Sequence, residues 1–293
     1  MMKFSKWILL LFFSPFFALC QQADSVRSVN KNRLRAMAIS GTVVYAGTLA
    51  GLSHLWYADS ESQSFRFFND NAEWKQVDKV GHFYSAFYFS YATSKAVTWP
   101  GVQQRKSDLI GSLVGFGVML PIEILDGFSK DYGASAGDLI ANAAGSAFFL
   151  GQSRLWNEVR IHPKFSFSRT KYAELRPDLL GNDLASEILK DYNGQTYWLS
   201  ADMDKFIRFP KWLNIAIGYG ADGMIYARDY QNVAAGYAEP FRQYYLSIDF
   251  DLTSIKSRSK IINTLLFVAN MVKIPAPAIE FSKREIKFHP FFF

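Results

Sequence analysis

The stretch that decides the fold is DKVGH at residues 78–82, where Asp78 and His82 lie four residues apart inside apolar, glycine-rich sequence. Two similar stretches follow, EILD at residues 123–126 and DLIAN at residues 138–142. Spacings of three and four residues put both polar members of a pair on one face of a helix. Because buried acids and histidines are costly unless they are paired, the three stretches predict one polar site shared by three helices. The candidate site residues are Asp78, His82, Glu123, Asp126, Asp138 and Asn142.

Outward from these stretches, residues 36–160 are predicted to form a four-helix bundle that is partly membrane-like. Its first helix, at residues 36–56, is about long enough to cross a bilayer and carries Gly47 and Gly51 at a spacing that permits close helix contact. A membrane span and a buried core helix fit this segment equally well, because Ser, Thr and Gly dilute its hydrophobicity. The other helices are expected near residues 78–99, 107–126 and 135–156.

Residues 161–293 are predicted to be a mixed region of helix and antiparallel strand. Apolar and polar side chains alternate along residues 241–252, 213–219 and 279–288, as is typical of strands, whereas residues 261–272 fit a short apolar helix. We expect about five or six strands in all, fewer than the eight of a closed transmembrane barrel. The predicted fold class is therefore α+β, with a small sheet that packs on the helices or lies at a membrane surface.

The N-terminus is typical of an export signal, which we assign to residues 1–20. Two lysines precede an apolar run that ends in Cys20. Cleavage after Cys20 would leave a polar lead-in at residues 21–35, whereas a lipoprotein would keep Cys20 as its lipid-bearing first residue. Leu19 favours simple secretion, because lipoprotein processing prefers a small residue at that position.

The composition is that of an envelope protein or a protein that contacts a membrane, since 49% of the residues are hydrophobic and 17% are aromatic. The net charge of +6 is a mild excess, and the sequence has no nucleic-acid-binding motif, so no nucleic acid is expected as a partner. We expect a membrane as the main partner, with an envelope protein as a further option. The expected location is the periplasm or the outer membrane of a Gram-negative-type envelope.

The candidate residues have both structural and chemical interpretations. Asp78 could cap its helix, and Asp138 follows Ser135 in the pattern of a capping box. As a functional site, His82 could act as a general base or a metal ligand, with Asp78 orienting its ring. Carboxylates on the other helices could supply oxygen ligands to a divalent ion, although the sequence identifies no cofactor. The candidate metal ligands are His82, Glu123, Asp126 and Asp138.

The three stretches belong to a longer set of residues in a fixed order. That set is DKxxHF at residues 78–83, ExxD at 123–126, Gly133 and GDLxxNxxG at 137–145. It resembles the YfiM family of predicted periplasmic lipoproteins and is more distantly similar to VanZ-like membrane proteins. The resemblance covers residues 78–151 and implies an envelope location and a small helical domain. It implies no activity, and the β-rich C-terminal half is an addition to it.

Three functions remain open at this point. The first is an exported envelope protein with a structural or interaction role, in which the polar residues form a buried structural network. The second is a membrane-associated enzyme that acts on a lipid or cell-wall precursor through a site of histidine and carboxylates. The third is a small component of an outer-membrane barrel.

Overall fold

The computed structural model describes residues 29–57 and 60–293. The predicted signal peptide, Cys20 and the first part of the lead-in lie outside the described residues. The α+β fold class is confirmed. The helices are α1 (Lys31–Tyr57), α2 (Val77–Thr98), α3 (Gln104–Phe128), α4 (Ala136–Trp156), α5 (Tyr172–Leu175), α6 (Pro177–Leu180), α7 (Leu184–Lys190), α8 (Asp229–Ala234) and α9 (Lys260–Ala269). The strands are β1 (Ile161–Phe167), β2 (Gln195–Ala201), β3 (Leu213–Asp222), β4 (Phe241–Phe250), β5 (Ala276–Ser282) and β6 (Glu285–Phe292).

Helices α2, α3 and α4 form the bundle proper and pack closely along their small residues. A Cβ atom at Gly145 of α4 would overlap the backbone carbonyl of Phe83 on α2, so the two helices touch backbone to backbone there. The apolar core beside this contact contains Phe87 and Phe149, which are 0% and 1% exposed. Close contact between the three helices is what brings their polar faces together.

Helix α1 does not join the bundle core. No part of its apolar stretch is buried, and Ile39 and Val44 are both about two-thirds exposed. It is tied to the bundle by single contacts, such as the hydrogen bond that the Tyr45 hydroxyl donates to the Val118 carbonyl at 2.6 Å. The interpretation as a buried core helix is therefore wrong. Helices α1 and α3 are both long and apolar enough to cross a membrane, but 39% of the apolar stretch of α3 is buried.

The six strands form one antiparallel sheet in the order β1-β2-β3-β4-β5-β6, so every strand pairs with its neighbour in the chain. The alternating run at residues 279–288 is a hairpin and not the single strand that was predicted. Lys283 and Arg284 form its two-residue turn with φ angles of 46° and 64°, the backbone of a tight hairpin turn. Neither residue is a glycine or asparagine, so the usual sequence signal for such a turn is missing.

The sheet is strongly curled. Nζ of Lys164 on β1 lies 2.6 Å from a carboxylate oxygen of Asp249 on β4, although three strand spacings of about 4.8 Å each would separate these strands in a flat sheet. The curl encloses the side chains of the inner face. Among the described residues, β1 and β6 do not pair with each other, so the curled sheet stays open.

Candidate functional site

The bundle brings five of the six candidate residues to one place. Nδ1 of His82 on α2 lies 3.2 Å from Oδ1 of Asn142 on α4 and 3.5 Å from Oε1 of Glu123 on α3. Asp78 and Asp138 meet beside this group at the ammonium of Lys79, at 3.2 and 3.1 Å. The shared face predicted from helical spacing is therefore present for these residues.

Two members of the cluster were missed in the sequence. Lys79 is the cation at its centre, and Asp70, in the loop before α2, is its third carboxylate partner at 2.9 Å. Gly137 makes room for the lysine, because a Cβ there would lie 2.7 Å from Cε of Lys79. Lys79 stands inside the DKVGH stretch and could have been included. Asp70 has no helical spacing to the other residues, so no signal pointed to it.

Some of the predicted roles differ from the observed contacts. Asp78 neither caps α2 nor orients His82, because the N-cap residue of α2 is Gln76, without a side-chain cap, and Asp78 binds Lys79 instead. The capping role at α4 is half present, since Ser135 accepts a hydrogen bond from the Asp138 amide at 3.1 Å while the Asp138 side chain turns to Lys79. Asp126 is the one candidate residue that does not join the polar cluster. It lies one turn beyond Glu123, outside both groups of ligand atoms described below.

Burial and close charges shift the pKa values of the ionisable groups in the cluster. It raises the pKa of Glu123 to about 8, and the charge of Asp138 adds to the effect. Burial also raises the pKa of Asp78 to about 6, although Lys79 acts in the other direction. Burial alone would lower the pKa of Lys79, but the charges of Asp78 and Asp138 outweigh it and hold that pKa above its ordinary value. The acids thus stabilise the lysine charge more completely than the lysine stabilises theirs.

Three polar atoms of the cluster have no hydrogen-bond partner within the part of the chain that the structure describes. They are Oδ1 of Asp78, Oε1 of Glu123 and Nδ2 of Asn142. Two groups of donor atoms have the proximity that a metal ion needs, with all atoms of a group within 4.8 Å of one another. One group is His82, Glu123 and Asp138, and the other is Asp70, Asp78 and Asp138. The second group already surrounds Lys79.

The inner face of the curled sheet is also buried, and it carries many polar groups beside an aromatic cluster around Trp198 and Tyr245. Three of its acids each have a basic partner: Asp249 has Lys164, Asp202 has His162 at 3.1 Å, and Glu280 has His289 at 2.7 Å. Lys164 and Asp249 are both fully buried. Other inner residues, Ser200, Asn214 and Ser247, are also buried and hydrogen-bonded to the sheet or to each other.

The outer face of the sheet is apolar and exposed. Across β3 and β4 the register pairs Ile215 with Ile248, Ile217 with Leu246 and Tyr219 with Tyr244. The apolar side chains continue over β5 and β6, where Ile286 and Phe288 are 71% and 67% exposed. The exposed apolar residues of this outer face are Ile215, Ile217, Tyr244, Leu246, Ile248, Phe281, Ile286 and Phe288. A soluble sheet has the opposite arrangement, with the apolar face buried and the polar face in water.

An apolar groove of about 470 Å³ lies where helix α2 meets this outer face. Val80, Phe83 and Tyr84 of α2 form one wall. The other wall is the outer face of the sheet, including Ile217 and Phe281. The groove therefore extends the outer apolar surface towards the bundle.

Comparison with known proteins gives one match. The family described as predicted periplasmic lipoprotein (DUF2279) matches residues 66–151. This range holds Asp70, Lys79 and all six candidate residues, and it ends before the sheet. No curated protein and no solved structure matches the chain. The match supports an exported, periplasmic protein and assigns no activity, while the likeness to YfiM and VanZ proteins and the cleavage after Cys20 stay predictions.

Proposed function

We propose that this protein is an exported envelope protein held at a membrane by the outer face of its sheet. In this role the polar cluster of the bundle is a buried structural network. The observation that carries the proposal is the inverted sheet, whose charged face is buried while its apolar face is exposed. A contiguous apolar surface of this kind is costly in water and marks an interaction site.

Lipid is the occupant that best fits this surface. Two further apolar elements, α1 and α9, are also exposed. A membrane interface accommodates exposed apolar helices as well as an apolar sheet face.

Basic residues next to helix α9 also favour lipid as the partner of these apolar surfaces. Lys256, Arg258 and Lys260 directly precede or begin α9, whose Ile261 and Leu265 are 74% and 61% exposed. Basic residues beside an inserted apolar segment bind the anionic head groups of lipids.

The geometry favours insertion of one face over a complete span. An open sheet edge cannot lie in hydrocarbon, because its backbone N–H and C=O groups would have no hydrogen-bond partners. The free edge of β6 therefore has to lie among head groups or in water. Apolar side chains outside and polar side chains inside are the arrangement of outer-membrane proteins, and we favour the outer membrane for this reason.

Vesicle flotation of the full-length protein tests the proposal. With phosphatidylcholine vesicles, which carry no net charge, the wild-type protein should float and should remain bound at high salt. The Ile217→Lys/Leu246→Lys variant should lose at least about tenfold in bound fraction, because each lysine on a lipid-facing surface costs up to about 1 kcal/mol near the interface and more at greater depth.

A matched control adds the same charge elsewhere. Ile140 and Leu155 on α4 are 70% and 75% exposed, and the Ile140→Lys/Leu155→Lys variant should float like the wild type. Circular dichroism in detergent checks that all variants are folded. A wild-type protein that stays unbound, or a sheet variant that floats as well as the α4 control, would refute lipid binding by this face.

A further inference from the structure

The polar cluster of the bundle also has the features of a metal-binding site, independently of membrane binding. We propose that His82, Glu123 and Asp138 bind one divalent transition-metal ion such as Zn²⁺ or Mn²⁺. Each of the three helices of the bundle supplies one ligand, and their donor atoms all lie within 4.8 Å of one another.

The distance between two of these atoms fits an ion better than a hydrogen bond. Nδ1 of His82 and Oε1 of Glu123 are 3.5 Å apart, and the pair forms no hydrogen bond. Two ligands bound tetrahedrally at about 2.1 Å from an ion are about 3.4 Å apart. Small movements of the three side chains would bring their donor atoms to coordination distance from the ion.

Glu123 supplies independent evidence for a ligand. Its side chain is only 4% exposed. One carboxylate oxygen accepts a hydrogen bond from the Ser135 amide at 3.2 Å, while the other, aimed at His82, has no partner among the described residues. A buried polar atom without a partner is destabilising, and a bound cation removes that cost.

The charges of the cluster point the same way. Three carboxylates, those of Asp70, Asp78 and Asp138, bind the ammonium of Lys79, and the carboxylate of Glu123 lies beside Asp138. Among the described residues, no lysine or arginine forms an ion pair with Glu123 on the side of the cluster that holds His82. A divalent ion at this side would offset most of the remaining negative charge.

The donor set defines the class of ion. One imidazole nitrogen with two carboxylate oxygens suits Zn²⁺ or Mn²⁺ better than Ca²⁺ or Mg²⁺, which prefer oxygen ligands throughout. Binding at Nδ1 of His82 requires the tautomer with its proton on Nε2, and it releases Oδ1 of Asn142 to act as a further oxygen donor. His82 is the most exposed of the three ligands, with a side chain that is 19% exposed.

Equilibrium dialysis with ZnCl₂ or MnCl₂ tests the site. The full-length protein is stripped with EDTA and reloaded. Elemental analysis by mass spectrometry should then find about one bound ion per chain. At an ion concentration about a hundredfold above Kd, its Tm should rise by about 5 °C. Glu123→Gln should lower the affinity by at least about tenfold, because the amide removes the ligand charge while keeping the shape.

Asp126→Asn is the matched control, because Asp126 lies one turn along the same helix and outside the ligand group. Its affinity should stay within about twofold of the wild type, and the circular dichroism of both variants should match the wild type. Failure of the wild-type chain to bind a stoichiometric ion would overturn the proposal. So would unchanged binding by Glu123→Gln, which would assign the ion to surface groups.

Discussion

The bundle and the sheet both bury charged side chains, but they balance them differently. Inside the sheet each paired acid has its own base, as in Lys164 with Asp249 and His289 with Glu280. Inside the bundle three aspartates share Lys79, and the only ion-pair partner of Glu123 among the described residues is the imidazole of His82. Each of these acids in the sheet interior thus has a basic partner, and Lys273 adds a further buried lysine there, whereas the bundle has more acids than cations. An excess of acids suits the bundle to binding a cation.

The largest effect should come from breaking a pair inside the sheet. Lys164→Met leaves the carboxylate of Asp249 fully buried, with Ser200 as its donor and with Oδ1 already without a partner among the described residues. Removing one member of a buried ion pair costs about 3–5 kcal/mol, and we expect this loss in the free energy of unfolding. Denaturation by urea in mild detergent, followed by tryptophan fluorescence, measures it.

An exposed ion pair serves as the comparison for that experiment. Lys130 and Glu61 form a pair whose side chains are 62% and 77% exposed, so Lys130→Met should cost less than about 1 kcal/mol. The double variant Lys164→Met/Asp249→Leu should recover much of the lost stability, because it leaves no buried charge from this pair. Equal costs for Lys164→Met and Lys130→Met would mean that the inner face is not sealed from water.

A smaller effect is expected from separating the helices that build the acid-rich cluster. Gly145→Ala forces the Cβ against the Phe83 carbonyl, so α2 and α4 must move apart at a cost of about 1–3 kcal/mol. Gly151→Ala on the same helix meets nothing within 4 Å and should stabilise by up to about 1 kcal/mol through helix propensity. Thermal unfolding of the two variants should shift Tm in opposite directions. A shared direction would contradict the close contact at Gly145.

The last comparison concerns pH and the buried Lys273. Burial, with a minor contribution from the like charge of Lys164, lowers its pKa from 10.5 to about 8. Between these values the unfolded chain binds more protons than the folded one, so this group makes stability rise as the pH increases from 8 to 10.5. The stability of the wild type relative to Lys273→Met should therefore increase over that window. A difference that stays constant with pH would indicate that Lys273 is solvated in the folded protein.

The sequence predicted the bundle better than it predicted the sheet, for physical reasons. Helical spacing determines which side chains share a face of one helix, as for Asp78 and His82, and the cost of burying unpaired polar groups predicted that Glu123 on another helix would meet them. Alternation in a strand separates two faces but does not say which face is buried, and the inversion of the sheet was not foreseen. The hairpin turn at Lys283 and Arg284 could have been predicted from the sequence. Four polar residues stand in a row at 282–285, and the apolar positions change there from odd to even numbers.

The strictly sequential strand order has a consequence for how the sheet is assembled. Every pairing between two strands of the sheet joins neighbours in the chain, so the sheet can grow by one strand at a time, and the loop-closure entropy at each step rises only slowly with the length of the connection. The contact between Lys164 and Asp249 is different, because it joins β1 to β4 and cannot form until the strands between them are in register. We therefore expect this ion pair to form late in folding and to stabilise only a chain whose sheet has curled correctly.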